Sequence, residues 1–305
     1  MRAHSLRFLI FNNTIKEKVM NKAGNTLSKA LITALSIVLL TCTKAAAFNI
    51  SPLLVELDAK PGVTYSGSLM LAGNESRKES VRVYFEDWDK TPDGEDNSLM
   101  PGSIDRSCAG WMSVSPSQAD IPAGGSIELK FTIAVPENAK GSYWTFIMAE
   151  ENKKPDAPKQ NSDDMQFMIQ SVFRFAVRIL VNISDGAETK GEITDLKIFK
   201  PETQDKLKNY NFAGRISFKN TGNYLLKPQG YMEIRDSDGE TLTRSEIQPK
   251  SYVIPGRERY LEVPLETKLP AGDYIAIAAL DYGGNEIVAG ETPFTVSPDG
   301  AVLTQ

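Results

Sequence analysis

From Met165 to Ile183 the chain runs nineteen residues without a glycine or a proline, and apolar side chains recur at every second position. Ile169, Phe173, Phe175, Val177, Ile179, Val181 and Ile183 share one parity, with Ser171 the exception, while Arg174, Ala176, Arg178 and Leu180 fall on the other. A period of two places alternate side chains on opposite faces of an extended strand. Strands are commonly ~5–6 residues long, so this one is unusually long. A strand with one continuous apolar face needs a second layer to bury it, which points to a sheet packed on a sheet.

The rest of the chain follows the same pattern. Val81-Arg82-Val83-Tyr84-Phe85 and Ile127-Glu128-Leu129-Lys130-Phe131-Thr132-Ile133 alternate, and turn chemistry separates such segments at Pro61-Gly62, Pro92-Asp93-Gly94, Pro122-Ala123-Gly124-Gly125 and Asp238-Gly239. No convincing long amphipathic helix interrupts them. The polar stretch Glu150 to Asp164, rich in Lys, Asp, Asn and Pro, reads as a mobile loop leading into the long strand. A second series begins near Gly191 and includes Phe212 to Lys219, Gly230 to Ile234, Arg259 to Leu265, Leu269 to Ala278 and Phe294 to Val296. One sandwich uses ~100 residues. The expected fold is therefore all-β, with two immunoglobulin-like β-sandwich domains in tandem over residues 48–185 and 186–305.

Residues 1–47 read as a secretory signal peptide. Ala30 to Leu40 is uncharged and apolar, follows Lys22 and Lys29, and leads to Ala45-Ala46-Ala47, small residues that suit signal peptidase. The run is too short to cross a bilayer comfortably, which takes ~20 apolar residues. The segment ahead of Met20 is long for such a leader, so Met20 is an alternative start. Cleavage after Ala47 leaves Phe48 first, in a protein that is periplasmic, extracellular or at the cell surface. Cys42 offers a lipid anchor as the alternative, although Thr41 before it fits lipidation poorly.

Removing that leader takes away seven of 34 basic residues and one of 39 acidic ones, leaving 27 against 38 and a net charge of −11. An acidic chain without a basic tract argues against nucleic acid as a partner. The only histidine, His4, lies in the leader, which removes Ser-His-Asp and Cys-His catalysis and histidine metal sites from the exported chain. No enzyme chemistry and no small-molecule cofactor are expected. Cys108 is the single cysteine beyond the leader and reads as a buried thiol beside Trp111. Asp87-Trp88-Asp89 with Asp93-Gly94-Glu95-Asp96 reads as a solvated acidic turn in preference to a calcium site, because the spacing is not that of a calcium-binding loop. Trp88, Trp111 and Trp144 read as sandwich core in preference to a sugar platform.

The opening Phe48 to Leu57, the Pro122-Ala123-Gly124-Gly125-Ser126 turn with its following strand, and Gln170 to Ile183 together resemble the PapD-like periplasmic pilus-assembly chaperones over most of residues 48–185. The C-terminal half, with Phe218 to Asn223 and Leu269 to Tyr274, looks more like the general Ig-like domains of bacterial surface proteins. The resemblance implies that the long strand is lent to a pilin-like exported subunit that lacks one, with Ile169, Phe173 and Phe175 entering its groove. It also implies that Arg178 anchors the subunit's terminal carboxylate. A second basic residue is expected on the first strand, yet Ser51 to Leu57 holds no Lys or Arg and Leu53 or Leu54 stands there. Arg174, on the face of Arg178, is a candidate substitute. Two alternatives stay open. Arg174 and Arg178 fit equally an ordinary core strand, facing solvent or paired with Glu86 or Asp87. The whole chain fits equally a structural or adhesive surface protein that binds a partner protein or wall polymer.

Overall fold

The computed structural model describes residues 48–152, 172–202, 206–248 and 251–304. Its first ten strands are β1 (Asn49–Ser51), β2 (Leu54–Ala59), β3 (Thr64–Ala72), β4 (Glu79–Lys90), β5 (Asp96–Leu99), β6 (Met112–Ser115), β7 (Gln118–Ile121), β8 (Ser126–Ala134), β9 (Gly141–Glu151) and β10 (Arg174–Ile183). They form one sheet in the order β1-β3-β8-β6 and another in the order β2-β10-β9-β4-β5, with β7 also paired to β4. Inward residues of both sheets, among them Leu69, Leu129, Ile133, Ile147, Ile179 and Val181, make a single buried core. Fully burying one such aliphatic side chain is worth about 1.5–3 kcal/mol.

The next eight strands are β11 (Gly191–Phe199), β12 (Phe212–Asn220), β13 (Gln229–Asp236), β14 (Thr241–Ile247), β15 (Glu258–Leu265), β16 (Gly272–Asp281), β17 (Ile287–Val296) and β18 (Val302–Thr304). They form the sheets β11-β12-β15 and β14-β13-β16-β17-β18, packed on a second core around Phe218, Ile234, Ala276 and Phe294. The chain is thus two tandem β-sandwiches, as the alternation predicts. Asp238-Gly239 makes the expected hairpin turn, with Gly239 at φ +85° and its N–H donating to Asp236 O at 3.1 Å.

Three differences from the sequence reading have clear causes. The opening segment is two strands, because β1 pairs with β3 in one sheet and β2 pairs with β10 in the other. Pro52 sits at the switch, where it has no N–H to give to either ladder. Glu150 and Glu151 belong to β9 and not to a loop, held by ion pairs to Arg82 at 2.6 Å and Arg77 at 3.1 Å. Residues 153–164, and Met165 to Ser171 of the long run, lie outside the described residues.

The third difference concerns the tryptophans. Trp88 and Trp144 are buried, but in neither sandwich core. They lie on the outer face of the β10-β9-β4 sheet with Phe146, Met148 and Leu180, covered by Leu225 and Ile254 of the second sandwich. Trp88 stacks on Phe146 at 5.3 Å, and Trp144 Nε1 donates to Trp88 O at 2.7 Å. Both faces of β9 are therefore dry, which a strand covered on two sides tolerates. Polar contacts set the fit of the two sandwiches. Leu225 N donates to Ser142 Oγ at 2.8 Å, Arg257 Nε grips Asp89 at 2.6 and 2.8 Å, and Tyr260 N donates to Pro92 O at 2.8 Å. At Gly141, φ +76°, an added Cβ would lie 2.1 Å from Asn223 O, so no side chain is possible at this contact.

Cys108 is fully buried next to the short 3-10 turn Ala109–Trp111, and burial, with the nearby Asp87 charge, pushes its thiol far up. Asp87 itself is buried and accepts from Ser107 Oγ at 2.6 Å and Ser103 N at 3.0 Å. Asp87, Asp89 and Asp96 of the acidic stretch are thus engaged in hydrogen bonds or ion pairs while Asp93 and Glu95 are exposed, and no cluster of three or more metal-ligating residues occurs among the described residues.

Candidate functional site

The site grows out of how β10 is paired. Along its whole length β10 runs antiparallel to β9, from Arg174 opposite Glu150 to Ile183 opposite Gly141. On its other side β2 pairs in parallel, but only from Arg178, opposite Leu54, to Ile183, opposite Ala59. Glu151 N donates to Phe173 O at 2.9 Å, so the odd residues of β10 turn their backbone groups toward β9. The even residues turn theirs the other way, and Arg178 N accordingly donates to Leu53 O at 2.9 Å. Arg174 and Ala176 also face that side, where β2 has run out. Among the described residues their N–H and C=O groups have no ladder partner, which makes an open edge that another strand can extend.

Side chains divide by parity, as the alternation predicts. Val177, Ile179, Val181 and Ile183 are buried in the first core. Phe175 is half-buried and packs edge-to-face on Phe48 with ring centroids 5.0 Å apart. Phe173 is 40% exposed and Val172 is 49% exposed, at the end of the described strand farthest from β2's pairing. Ile169 lies outside the described residues. Of the two apolar candidates that lie within the described residues, Phe173 is the more exposed and Phe175 the more buried.

No family model matches the sequence, and no curated protein does. The chain is similar to solved fimbrial chaperones. One is in a chaperone–tip adhesin complex of CFA/I fimbriae biogenesis, 16% identical over 85% of this chain and 98% of that chain, with a TM-score of 0.43. Another is the class 5 fimbriae chaperone CfaA, 16% identical over 85% and 97%, TM-score 0.41. A third is in the CsuC–CsuE chaperone–tip adhesion subunit pre-assembly complex of Acinetobacter baumannii, 14% identical over 81% and 98%, TM-score 0.37.

Both arginines carry carboxylate partners. Arg174 Nη1 lies 3.2 Å from Glu86 Oε1, across the width of β9. Beside that pair, Glu150 accepts from Tyr84 Oη at 2.5 Å and from Arg82 Nη2 at 2.6 Å. The Tyr84 hydrogen bond, with Arg82 behind it, holds the Glu150 carboxyl below its usual range. Arg178 pairs with Asp96 of β5 and not with Asp87, and its guanidinium lies 5.9 Å from the Phe146 ring centre. Asp96 is bound a second time, by Lys90 Nζ of β4 at 2.6 Å. Lys90 Nζ in turn sits 5.5 Å from the Trp88 ring and 5.4 Å from the Tyr252 ring.

The sequence singles out Arg178 and Arg174 but does not show that Lys90, Asp96 and Tyr252 gather beside Arg178. Leu54 does stand beside Arg178 on β2, so no cation reaches the site from that strand. Lys90 reaches it from two strands away and Tyr252 from the other sandwich, separations that no local spacing encodes. The signal in reach was parity alone, since Lys90 has the outward parity of Glu86 and Trp88 on the same strand.

Proposed function

We propose that this chain is a non-enzymatic, exported, chaperone-like protein that binds an exported pilin-type subunit by lending it the open edge of β10. The observation that carries this reading is the mismatch in pairing, in which β2 stops at Arg178 while β10 continues to Arg174. A strand added there would gain backbone hydrogen bonds from Arg174 and Ala176, and Phe173, with the edge of Phe175 and with Ile169, would offer apolar groups of one parity. Arg178 stands where the open edge ends, and a guanidinium there suits the end of a chain, since its planar fork matches a carboxylate. After loss of residues 1–47 the protein would work in the periplasm.

The test is capture. The full-length tagged protein is exported in its native host, and envelope proteins that co-purify are compared between wild type and Arg178→Ala. The expected result is loss of a secreted subunit from the variant, with an unchanged melting temperature. Equal recovery of the same subunit by the two proteins would overturn the reading.

A further inference from the structure

The surroundings of Arg178 contain a carboxylate site that is already occupied from within. Lys90 Nζ holds Asp96 Oδ1 at 2.6 Å and Arg178 Nη2 holds Asp96 Oδ2, so one side-chain carboxylate is clamped with one oxygen on each cation. The side chains of Lys90 and Asp96 are only 12% and 18% exposed and that of Arg178 37%, which keeps solvent screening partial. Around this clamp two donors are idle. Arg178 Nε and Tyr252 Oη are buried without a hydrogen-bond partner. A buried donor left unmade costs about 1–3 kcal/mol, so such a pair in one place marks a site that a further acceptor would complete.

Charge points to the same ligand. Two cations face a single anion, leaving the clamp one positive charge in excess. Arg178 Nε–H can only donate and the Tyr252 hydroxyl can donate as well, so carboxylate oxygens would satisfy both. Asp96 can leave by side-chain rotation alone, because the hairpin that carries it is held elsewhere: Tyr260 N donates to Pro92 O at 2.8 Å, and Thr91 N donates to Glu95 O at 3.0 Å. The clamp also adjoins the open edge, since Arg178 is the residue at which β2 stops pairing.

We propose that Lys90 and Arg178 form a two-armed site for the terminal carboxylate of a bound chain, and that Asp96 is its built-in competitor. This rests on the role given to Arg178 above and adds to it a second arm, Lys90, and a gate. An incoming carboxylate displaces Asp96 from both cations and takes up Arg178 Nε and Tyr252 Oη as well. A chain that ends in an amide, or that passes through without ending, brings no charge to displace Asp96. The gate therefore selects for chain ends and keeps both cations occupied while the edge is empty.

The probe is a short peptide of alternating valine and serine with a free C-terminal carboxylate, set against the same peptide with a C-terminal amide. Binding to the full exported chain is read from the Arg178 Nε–H signal in arginine-labelled protein and from calorimetry. In Asp96→Asn the acid peptide should bind on the order of tenfold tighter than in wild type, because the competing charge is gone, with the amide peptide unchanged. Adding Lys90→Gln to Asp96→Asn should remove that gain, and a melting curve of the double variant shows whether the hairpin has kept its fold. Equal acid binding by Asp96→Asn and wild type overturns the gate, as does an equal gain for the amide, which would mean only a loosened hairpin. Binding of neither peptide by wild type or Asp96→Asn overturns it too. If the acid peptide binds and Arg178→Ala leaves that binding unchanged, it is the role of Arg178 that fails.

Discussion

The two halves of β10 have the same alternation and opposite fates. From Arg178 to Ile183 the strand is paired on both sides, its odd residues fill the first core, and Leu180 is buried against the second sandwich. From Arg174 to Val177 it is paired only with β9, and Arg174 reaches an exposed ion pair. The side-chain pattern does not change at Arg178; the neighbours do. What distinguishes a structural strand from a strand available to a partner is the supply of backbone partners, which the strand's own sequence does not specify.

Proline substitutions break that comparison most sharply. Val177 points its N–H at β9 and its side chain into the core, so Val177→Pro should cost about 3–5 kcal/mol through the lost ladder bond and lost burial. Ala176 points its N–H at the open edge, where proline is tolerated, so Ala176→Pro should cost about 1 kcal/mol or less. Urea unfolding measures both. The pair also separates folding from function, since Ala176→Pro removes an edge donor and should weaken capture of a subunit in a protein that stays folded. If the two variants lose equal stability, the edge beside Ala176 is not open.

The outward face gives the next contrast. Leu180 is 1% exposed in the seam between the sandwiches, and Leu180→Ala should cost roughly 2–4 kcal/mol, as large-to-small changes in packed sites do. Arg174→Ala on the same face breaks an ion pair whose side chains are 46% and 16% exposed, and should cost about 0–1 kcal/mol. A small loss in Leu180→Ala would mean that the second sandwich does not cover the sheet firmly in solution.

The legibility of β10 follows the same division. Its core face was readable because burial selects Val177, Ile179, Val181 and Ile183 at a fixed period. Its sandwich partner sheet, the turns and the buried Cys108 were readable for similar local reasons. The outer face was not. Leu180, Trp88 and Trp144 look like core or surface according to whether another layer arrives, and that layer is Leu225, Tyr252 and Ile254, far along the chain. Likewise Arg178 stood out through the resemblance, with Glu86 or Asp87 as its alternative partners, while its actual partner Asp96 was hidden in an acidic turn that offered several carboxylates at once. The switch of the first strand at Pro52 was visible as a proline but not as a change of sheet, because either ladder could have ended there.

Tyr252 sits where the halves meet, and its titration probes that junction. Burial pushes its phenol up to about 12, against the opposing effect of the Arg178 charge and with Asp96 adding to the rise. The fold thus favours the neutral phenol over the phenolate. The stabilisation this represents is intact below the unfolded value near 10 and is lost as pH rises from there toward 12. The loss from this one group is on the order of 2 kcal/mol at most, since the ring is not wholly buried. Tyr84, Tyr224 and Tyr274 are also raised by burial, so Tyr252→Phe should lessen the alkaline decline and not abolish it. Denaturation midpoints taken across that range check the sign. Arg178→Ala sharpens the result: without the guanidinium the phenol should ionise at still higher pH, seen as a later step in the ultraviolet titration. An unchanged step in that variant would place Arg178 away from Tyr252, and with it the upper half of β10 away from the second sandwich.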